Sequence, residues 1–511
     1  MLRRWLVKHR ALSPLGPAGL VLLAGAAAVA AYVATRSSEN DVKVDTSEEE
    51  CIDKPKVVPY LPSKVPIIGN MLQLATNAHR FHDWMAEQCI AHNGSDMLVT
   101  AVPEHYEHVV KTQFDHFSKG HQQYDMFVDL MGHSVLIIEG ERWKYHRRLL
   151  VRLFSARALR EHMYLVLVKA AVAKKPVDLY MLMHRFTFKA FAEMVFNNTL
   201  DSIDSEHEHP FEQAFDEAQS IVAGRLQQPV WFWKLKRWMN VGQERKLRED
   251  IELIDEFIMK IISTVIETRR QHQEDLKAGK PLKKADTDIV SIVLECMEQD
   301  GDMVSPTDVR NIAVAALGAG RDTSADAMSW LLHTLTQHPQ VENKLRAELF
   351  EKLPKLAMSS TYLPSMDEVQ GLVYLEATIR ELLRLQTPVP FTMRECVHDT
   401  VFSDGTFVPK GTNVGMCHFG AARRTEVWGP DAAEFKPERF IDPETGKLLH
   451  TPAAKCNAFS GGQRVCVGKA LAMLEMKLVI ATLVGRFHFT KVPGQNVQYA
   501  MGITIGMKTH S

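Results

Sequence analysis

The stretch Phe459-Ser-Gly-Gly-Gln-Arg464-Val-Cys466-Val-Gly468 decides how this chain of 511 residues is interpreted. Its adjacent glycines favour a tight turn around one cysteine, and a helical pattern follows directly. Amide groups freed by such a turn, together with the N-terminal end of the next helix, stabilise a negatively charged sulfur. Phe459 can shield that sulfur, and Arg464 can bind a carboxylate of a flat cofactor. The stretch therefore predicts that the Cys466 thiolate binds a metal within a cofactor.

This stretch resembles the haem-thiolate signature of the cytochrome P450 family, Phe-x-x-Gly-x-Arg-x-Cys-x-Gly, and matches all five fixed positions. The resemblance implies a mainly α fold with small β-sheets (an α+β class) and a haem b cofactor, iron protoporphyrin IX. It makes Cys466 the axial ligand of the iron. It also makes Phe459, Arg464 and Gly468 part of the cofactor site.

Two other interpretations of Cys466 stand beside this one. A lone cysteine inside a cell is usually a small buried apolar residue. Cys456 and His450 lie close enough in sequence to suggest a zinc pair, although zinc-binding cysteines usually lie closer together. The seven cysteines are scattered and odd in number, so they predict a reducing compartment and no disulfide framework.

A second motif, Ala319-Gly320-Arg-Asp322-Thr323-Ser, lies within a long apolar helical pattern from residue 311 to residue 335. Glycine costs a helix about 1 kcal/mol relative to alanine, and the expected compensation is room for a diatomic ligand at Gly320. The Thr323 hydroxyl can bond to an oxygen ligand, and Asp322 can relay protons to it. An ordinary core helix with a kink is the alternative. The motif resembles the oxygen-activation motif of the same family, and Ala319 argues against a haem esterified at that position.

Two further groups of residues resemble elements of the family. Glu381 and Arg384 are three residues apart and share a helix face, and with Arg439 they resemble its Glu-Arg-Arg triad. Trp143 and Arg147 lie one helical turn apart and resemble the Trp-x-x-x-Arg element that contacts haem propionates. Such pairs are also common on solvated helix faces. Their order along the chain matches that of the family.

The N-terminal region differs from the rest of the chain. Residues 1–35 are expected to form a single-pass transmembrane helix, residues 36–56 an acidic linker, and residues 57–511 the haem-thiolate monooxygenase domain, which opens with a proline-rich hinge. The resemblance implies a domain in the cytosol, anchored to the endoplasmic reticulum membrane. The flanking charges favour the opposite orientation, and the early arginines and lysines also fit a mitochondrial presequence.

The formal net charge of −2 gives no indication of a nucleic-acid partner. Several stretches, among them Trp428-Gly-Pro-Asp-Ala432, are similar to those of plant and fungal fatty-acid and alkane omega-hydroxylases. The expected activity is therefore terminal or near-terminal hydroxylation of a lipid-like substrate, with electrons from an NADPH-dependent flavoprotein reductase. A haem-thiolate enzyme that rearranges hydroperoxides is one alternative. A membrane-tethered zinc-binding or thiol-binding interaction protein is another.

Overall fold

Helices dominate the computed structural model, which describes residues 83, 93–94, 97–151, 176–196, 209–277, 289–299, 305–359, 362–500 and 502–510. The described α-helices are α1 (Pro103–Glu107), α2 (His121–Met131), α3 (Gly140–Val151), α4 (Leu179–Phe196), α5 (Pro210–Gly224), α6 (Val230–Met239), α7 (Gln243–Lys277), α8 (Ile289–Gln299), α9 (Pro306–Gln337), α10 (Pro339–Lys352), α11 (Lys355–Met358), α12 (Met366–Gln370), α13 (Val373–Leu385), α14 (His418–Ala421), α15 (Thr425–Trp428) and α16 (Lys469–Arg486). This content confirms the predicted mainly α class with small sheets.

The strands form small sheets beside the helices. They are β1 (Asn93–Gly94), β2 (Met97–Thr100), β3 (Phe117–Ser118), β4 (Phe391–Cys396), β5 (Thr400–Val401), β6 (Phe407–Val408), β7 (Asn413–Cys417), β8 (Asn496–Ala500) and β9 (Gly506–His510). One sheet has the strand order β1-β2-β7-β4-β3, and β5-β6 and β8-β9 are two-stranded. In the largest sheet β2 runs parallel to β7, with Met97 opposite Asn413, while β4 and β7 are antiparallel.

Helix α9 runs through the middle of the core. It begins after Ser305, whose side chain accepts a hydrogen bond from the Asp308 amide, and Pro306 occupies the first turn. Its first half packs with α4, α5, α7 and α8, where Ile312, Val314 and Leu317 are buried. Its second half packs with α10, α13 and α16. The predicted helix over 311–335 is confirmed; the Ser-Pro start places its first residue at Pro306, and it ends at Gln337.

A buried arginine joins several elements on one side of α9. Arg225 follows α5 and bonds Glu244 of α7 with Nε at 3.0 Å and Nη2 at 2.5 Å. It also donates to Asp129 of α2 at 2.8 Å, and its guanidinium lies 4.6 Å from the ring centre of Trp233 of α6. The charge is stabilised because two carboxylates compensate it inside the protein. We call this group the Arg225 clasp.

The predicted anchor (1–35) and linker (36–56) lie outside the described residues. Among the helices that the structure does describe, none combines the length and apolar character needed to cross a membrane. The described residues belong to one compact unit, and the other unit, Met1–Lys54 with Lys64–Gly69, lies outside them.

Candidate active site

The cysteine loop is a tight turn that packs on another part of the backbone. The turn Gly462–Arg464 leads into Cys466, whose amide donates to the Phe459 carbonyl at 2.8 Å. Gly462 has φ +60°, and a β-carbon there would lie 1.8 Å from the carbonyl oxygen of Val110. Only glycine allows both this conformation and this approach. The glycine in the motif is therefore required by the shape of the loop itself.

The Cys466 sulfur lies at the start of α16. The side chain is solvent-exposed, yet nearby protein atoms desolvate it enough to raise the pKa of the thiol. The backbone amides of Gly468 and Lys469 and the charge of Arg147 act in the opposite direction and favour the thiolate. A metal that binds here would displace the thiol proton, and these amides would then stabilise the bound sulfur.

Trp143, Arg147 and Arg464 meet around this loop, as their predicted roles require. The Arg464 guanidinium lies 3.9 Å from the ring centre of buried Trp143, donates to the Ile138 carbonyl at 3.1 Å and forms an ion pair with Glu139. Arg147 donates to the Val465 carbonyl at 2.8 Å. Protein acceptors thus engage both arginines, and their contacts with a cofactor carboxylate stay predictions.

Positive charge is in excess beside the loop. The charges of Arg394 and Arg464 lower the pKa of Lys119, and the charge of Arg394 also lowers the pKa of Arg464. The Glu139 carboxylate raises the pKa of all three cations. Desolvation and the two guanidiniums hold the pKa of Lys119 well below its usual range, and desolvation lowers the pKa of Arg464 to about 10. A cofactor that brings two carboxylates would compensate this charge. The residues present therefore fit a haem with its two propionates.

Sequence reasoning missed Lys119 and Arg394. Arg394 lies on β4 and is 7% exposed, and it donates to the carbonyl of Met393 at 2.7 Å. Neither residue belongs to a recognisable motif, because Lys119 follows β3 and reaches Arg394 only through the pairing of β3 with β4. The sequence therefore offered no signal for either residue.

The second motif lies on α9 with its polar groups on two faces. Ala319 is exposed, and the partly exposed Thr323 hydroxyl donates to the Ala319 carbonyl at 2.8 Å. The hydroxyl hydrogen therefore closes a local bond, contrary to expectation, while the oxygen keeps lone pairs that can accept a hydrogen bond. A β-carbon at Gly320 would lie 2.0 Å from the Phe191 ring of α4. Helix packing thus accounts for Gly320, and its role as room for a ligand stays a prediction.

Asp322 faces the helices that pack on α9. Its Oδ1 lies 3.6 Å from both His184 Nδ1 of α4 and Arg321 Nε. Desolvation raises the pKa of Asp322, but these two cations and Gln219 outweigh it, so the pKa falls below its usual value. Arg321 in turn forms ion pairs with Asp216 and, at 3.7 Å, with Glu212 of α5. The carboxyl is thus held ionised, and sequence reasoning missed His184 altogether.

The oxygen motif and the cysteine helix are directly linked. Ser324, next to Thr323, donates to Glu475 Oε2 of α16 at 2.8 Å. Glu475 is fully buried, and its Oε1 has no hydrogen-bond partner. Desolvation raises the pKa of Glu475 to about 7, against the lowering effect of Ser324. This bond brings the predicted oxygen-activating segment against the helix that begins beside Cys466.

The Glu381, Arg384 and Arg439 triad forms as predicted. Arg384 donates to Glu381 with Nε at 2.6 Å and Nη2 at 2.8 Å, and Arg439 Nε lies 3.4 Å from Glu381 Oε1. Arg384 also binds the carbonyl of Ala432 at 2.7 Å, and Glu381 accepts the Lys436 amide at 2.9 Å. The triad therefore fixes the backbone around residues 432–439, upstream of the cysteine loop, against α13.

The part of the chain that the structure describes contains no cluster of three or more His, Cys, Asp or Glu side chains able to hold a metal ion. The cysteine loop, the basic groups beside it and the helix with Thr323 together define a site for a haem bound through a thiolate. That class of protein can be compared with known families and structures.

The cytochrome P450 family matches residues 59–509, and the chain belongs to this family. It is 31% identical over 480 residues to "Cytochrome P450 704C1" of Pinus taeda, covering 86% of this chain and 90% of the relative. It is 32% identical over 426 residues to "Cytochrome P450 94C1" of Arabidopsis thaliana, covering 80% and 82%. "Alkane hydroxylase MAH1" of Arabidopsis thaliana is 28% identical over 482 residues, covering 89% and 93%.

The fold is also that of a solved cytochrome P450. The crystal structure of the cytochrome P450DA heme domain superposes with a TM-score of 0.70 at 20% identity, covering 89% of this chain and 98% of that chain. The protein is a haem-thiolate monooxygenase, and its cofactor is haem with a cysteine-thiolate ligand. Its family uses hydrophobic substrates and a redox partner.

Proposed function

We propose that the protein hydroxylates long-chain fatty acids at or near the terminal carbon, with Cys466 as the iron ligand. Haem, when bound, supplies the redox chemistry that activates molecular oxygen. The observation that carries the proposal is the bond from Ser324 to Glu475, because it brings the segment that contains Thr323 against the helix that begins beside Cys466. An alkane hydroxylase among the relatives supports an extended apolar substrate.

The residues of the site have separate parts in this proposal. The haem carboxylates are bound by Arg394, Lys119 and Arg464. Trp143 and Arg147, both on α3, contact the cysteine loop and hold it in place. Phe459 and Gly468 shape the loop around Cys466, and Gly320 lets α4 approach α9. Thr323 accepts and passes on a proton at Oγ1, and Asp322 holds that proton at a carboxylate oxygen.

Turnover with matched substrates tests the proposal. Purified protein with NADPH and reductase receives long-chain fatty acids, n-alkanes and fatty alcohols of equal chain length. Mass spectrometry should locate a new hydroxyl at or near the chain end of the acids. Conversion of the alkanes alone would refute the carboxylate-bearing substrate. Conversion of fatty-acid hydroperoxides without reductase, and of nothing with it, would favour the rearranging enzyme.

We also propose a membrane location, with the N-terminal segment as anchor on the endoplasmic reticulum and the domain in the cytosol. Helix α6 supports it, because Trp238 is 81% exposed and Trp231 57% exposed, beside the exposed Phe232 and Leu235. Tryptophan and phenylalanine are favoured at the surface of a bilayer. The neighbouring cations Lys234 and Arg237 form ion pairs with Asp125 and Asp129 at 2.5 Å, so apolar contact dominates this face.

Glycosylation and fractionation test this location. The sequons at Asn93 and Asn197 should stay unmodified in native cells if the domain is cytosolic. A mass shift on deglycosylation would place the domain in the lumen, as the flanking charges indicate. Co-purification with mitochondria would favour the presequence.

Electrons are proposed to come from an NADPH-dependent flavoprotein reductase that docks on α3. Lys144, Arg148 and Arg152 are spaced four apart on this helix. Lys144 is paired with Glu141 at 2.6 Å, the Arg148 guanidinium lies 5.3 Å from the Tyr145 ring centre, and Arg152 lies outside the described residues. Lys144→Glu with Arg148→Glu should weaken the apparent reductase affinity and leave peroxide-supported turnover intact. Equal loss in both assays would remove the support for docking.

A further inference from the structure

Helix α4 places one histidine between two carboxylates of α9. His184 Nε2 donates to Asp326 Oδ1 at 3.1 Å, and His184 Nδ1 lies 3.6 Å from Asp322 Oδ1. Asp322 and Asp326 are one helical turn apart, so a single imidazole on α4 spans both. The histidine side chain is 13% exposed and that of Asp326 is 1% exposed. The Asp322 side chain is 15% exposed, so solvent reaches both His184 and Asp322, while Asp326 is nearly closed to it.

The charges around His184 favour its protonated form. Desolvation lowers its pKa, but bonds and charges of Asp322 and Asp326 outweigh this and raise the pKa to about 9. The other groups that face this cluster are Tyr180 of α4, Arg321 of α9, Gln219, Glu212 and Asp216 of α5, and Thr504 before β9. Arg321 is the remaining cation, and it is already shared with Glu212 and Asp216.

Asp322 needs a neighbouring proton source if it is to act as an acid. Its own pKa lies below the usual value, so it is ionised at neutral pH and holds no proton of its own to give. Arg321 does not release a proton in proteins. Among the described groups around Asp322, His184 is the one that both carries a proton at neutral pH and can part with it.

We propose that His184 is the residue that supplies protons to Asp322. The Nδ1–H bond of the imidazolium breaks and an O–H bond forms at Asp322 Oδ1, so a neutral imidazole and a neutral carboxylic acid result. The neutral imidazole then regains a proton at Nδ1 from solvent water, which reaches its partly exposed side chain. Asp326 holds the ring through Nε2, which keeps Nδ1 directed at Asp322. The inference rests on the proposed role of Asp322 and Thr323 and extends their relay to the protein surface.

The distance of 3.6 Å between His184 Nδ1 and Asp322 Oδ1 is that of an ion pair and is longer than a hydrogen bond. A small rotation of the Asp322 side chain closes that gap, and catalytic bonds are often long before the substrate binds. A purely structural ion pair would also explain the burial. The two roles differ in outcome, because a structural pair affects stability alone while a proton donor affects the delivery of protons.

His184→Gln separates the two roles. Glutamine can donate a hydrogen bond to either aspartate but cannot carry a proton. We expect the variant to keep the haem-thiolate spectrum and its peroxide-supported turnover, while product formed with NADPH and reductase falls about a hundredfold and peroxide is released. His333→Gln, which changes a histidine that lies on α9 and outside this cluster, should leave both unchanged. Equal product yields in His184→Gln and wild-type protein would overturn the proposal.

A measurement without turnover covers the case in which His184→Gln does not fold. Histidine labelled with 15N in the full-length haem-loaded protein is titrated by NMR, and the His184 ring signals are assigned through bonds from its own backbone amide. His184 should stay protonated until about pH 9, and its pKa should fall in Asp322→Asn and in Asp326→Asn. An unchanged His184 pKa in Asp322→Asn would overturn the proposal. If the wild-type protein does not hydroxylate fatty acids, the proposed substrate fails, but this titration still tests His184.

Discussion

The thiol of Cys466 shows how a single residue depends on its surroundings. Two amides and the charge of Arg147 favour the thiolate, but desolvation by nearby protein atoms outweighs them and raises the pKa of the thiol. Cys456 lies nearby and its pKa is also raised by burial, but its sulfur is not at the start of a helix. The position at the start of α16 therefore distinguishes Cys466 from Cys456.

We expect Cys466→Ala to lose the long-wavelength carbon-monoxide band of thiolate-bound haem. The matched change Cys456→Ala should keep the band, because that side chain does not lie at the start of α16 beside the amides of Gly468 and Lys469. The reduced carbon-monoxide difference spectrum measures both. A thiolate band that survives in Cys466→Ala would refute the assignment of the ligand.

Arg394 is expected to hold haem by charge. Arg394→Gln should remove one charge-assisted contact to a propionate, which is worth about 1.5–3 kcal/mol, and so speed haem transfer to apomyoglobin by about tenfold or more. Arg270→Gln, on the exposed side of α7, is the control. Identical transfer rates in both variants would show that Arg394 does not bind the cofactor.

Thr323→Ala should bind haem and substrate normally but lower product yield per NADPH by about a hundredfold and release peroxide, because the hydroxyl that passes on the proton is gone. Thr336→Ala removes a hydroxyl that donates to the His333 carbonyl of the same helix and serves as control. Product yield and peroxide are measured together. Full coupling in Thr323→Ala would contradict the proposed relay.

Helix α4 packs closely on α9 because residue 320 is a glycine and has no side chain. Gly320→Ala would drive a methyl group into the Phe191 ring, so we expect a net loss of about 1–3 kcal/mol of stability despite the better helix propensity of alanine. Chemical denaturation measures it, and Gly371→Ala, where nothing lies within 4 Å of the added carbon, should be nearly neutral.

A second change shows whether Phe191 is the cause. In the double variant, Phe191→Leu should recover part of the stability lost in Gly320→Ala, because the smaller side chain frees the space that the methyl group needs. If the stability losses of the two single variants simply add in the double variant, the glycine is required for some reason other than this contact.

The sequence predicted whole elements better than contacts between them. The helices that contain Thr323 and Glu381, and the helix that follows Cys466, could be predicted from the periodicity of apolar residues. Helix ends were less accurate, because capping residues such as Ser305 lie outside the apolar pattern. Motif residues such as Cys466 could be found because the family fixes several positions at once. Lys119, Arg394 and His184 could not, since their partners come from distant segments and no local spacing encodes that proximity.

For the molecule as a whole, Glu475 makes stability depend on pH. Its pKa is raised to about 7 by desolvation, so the folded state binds the proton more tightly than the unfolded chain does. Stability from this group is greatest at low pH and falls as the pH rises from about 4.5 to about 7, by about 3 kcal/mol. The carboxyl therefore disfavours the fold most at alkaline pH.

Glu475→Gln should remove this dependence, because the amide stays neutral and can still accept the bond from Ser324. We expect the variant to be more stable than the wild-type protein at pH 8 and to differ little at pH 5 in thermal denaturation. Glu351→Gln, an exposed carboxylate paired with Lys352, is the control. A variant that loses stability equally at both pH values would show that Glu475 is ionised in the fold.

The Arg225 clasp has a consequence for the speed at which this side of the molecule opens. One guanidinium bonds α2 and α7 and lies against the Trp233 ring of α6, so these helices share one anchoring side chain. Opening this side of the molecule breaks charge-assisted bonds, which adds to the activation enthalpy of opening. Any ligand that enters past these helices should therefore do so at a rate that rises steeply with temperature, and Arg225→Lys should flatten that Eyring slope.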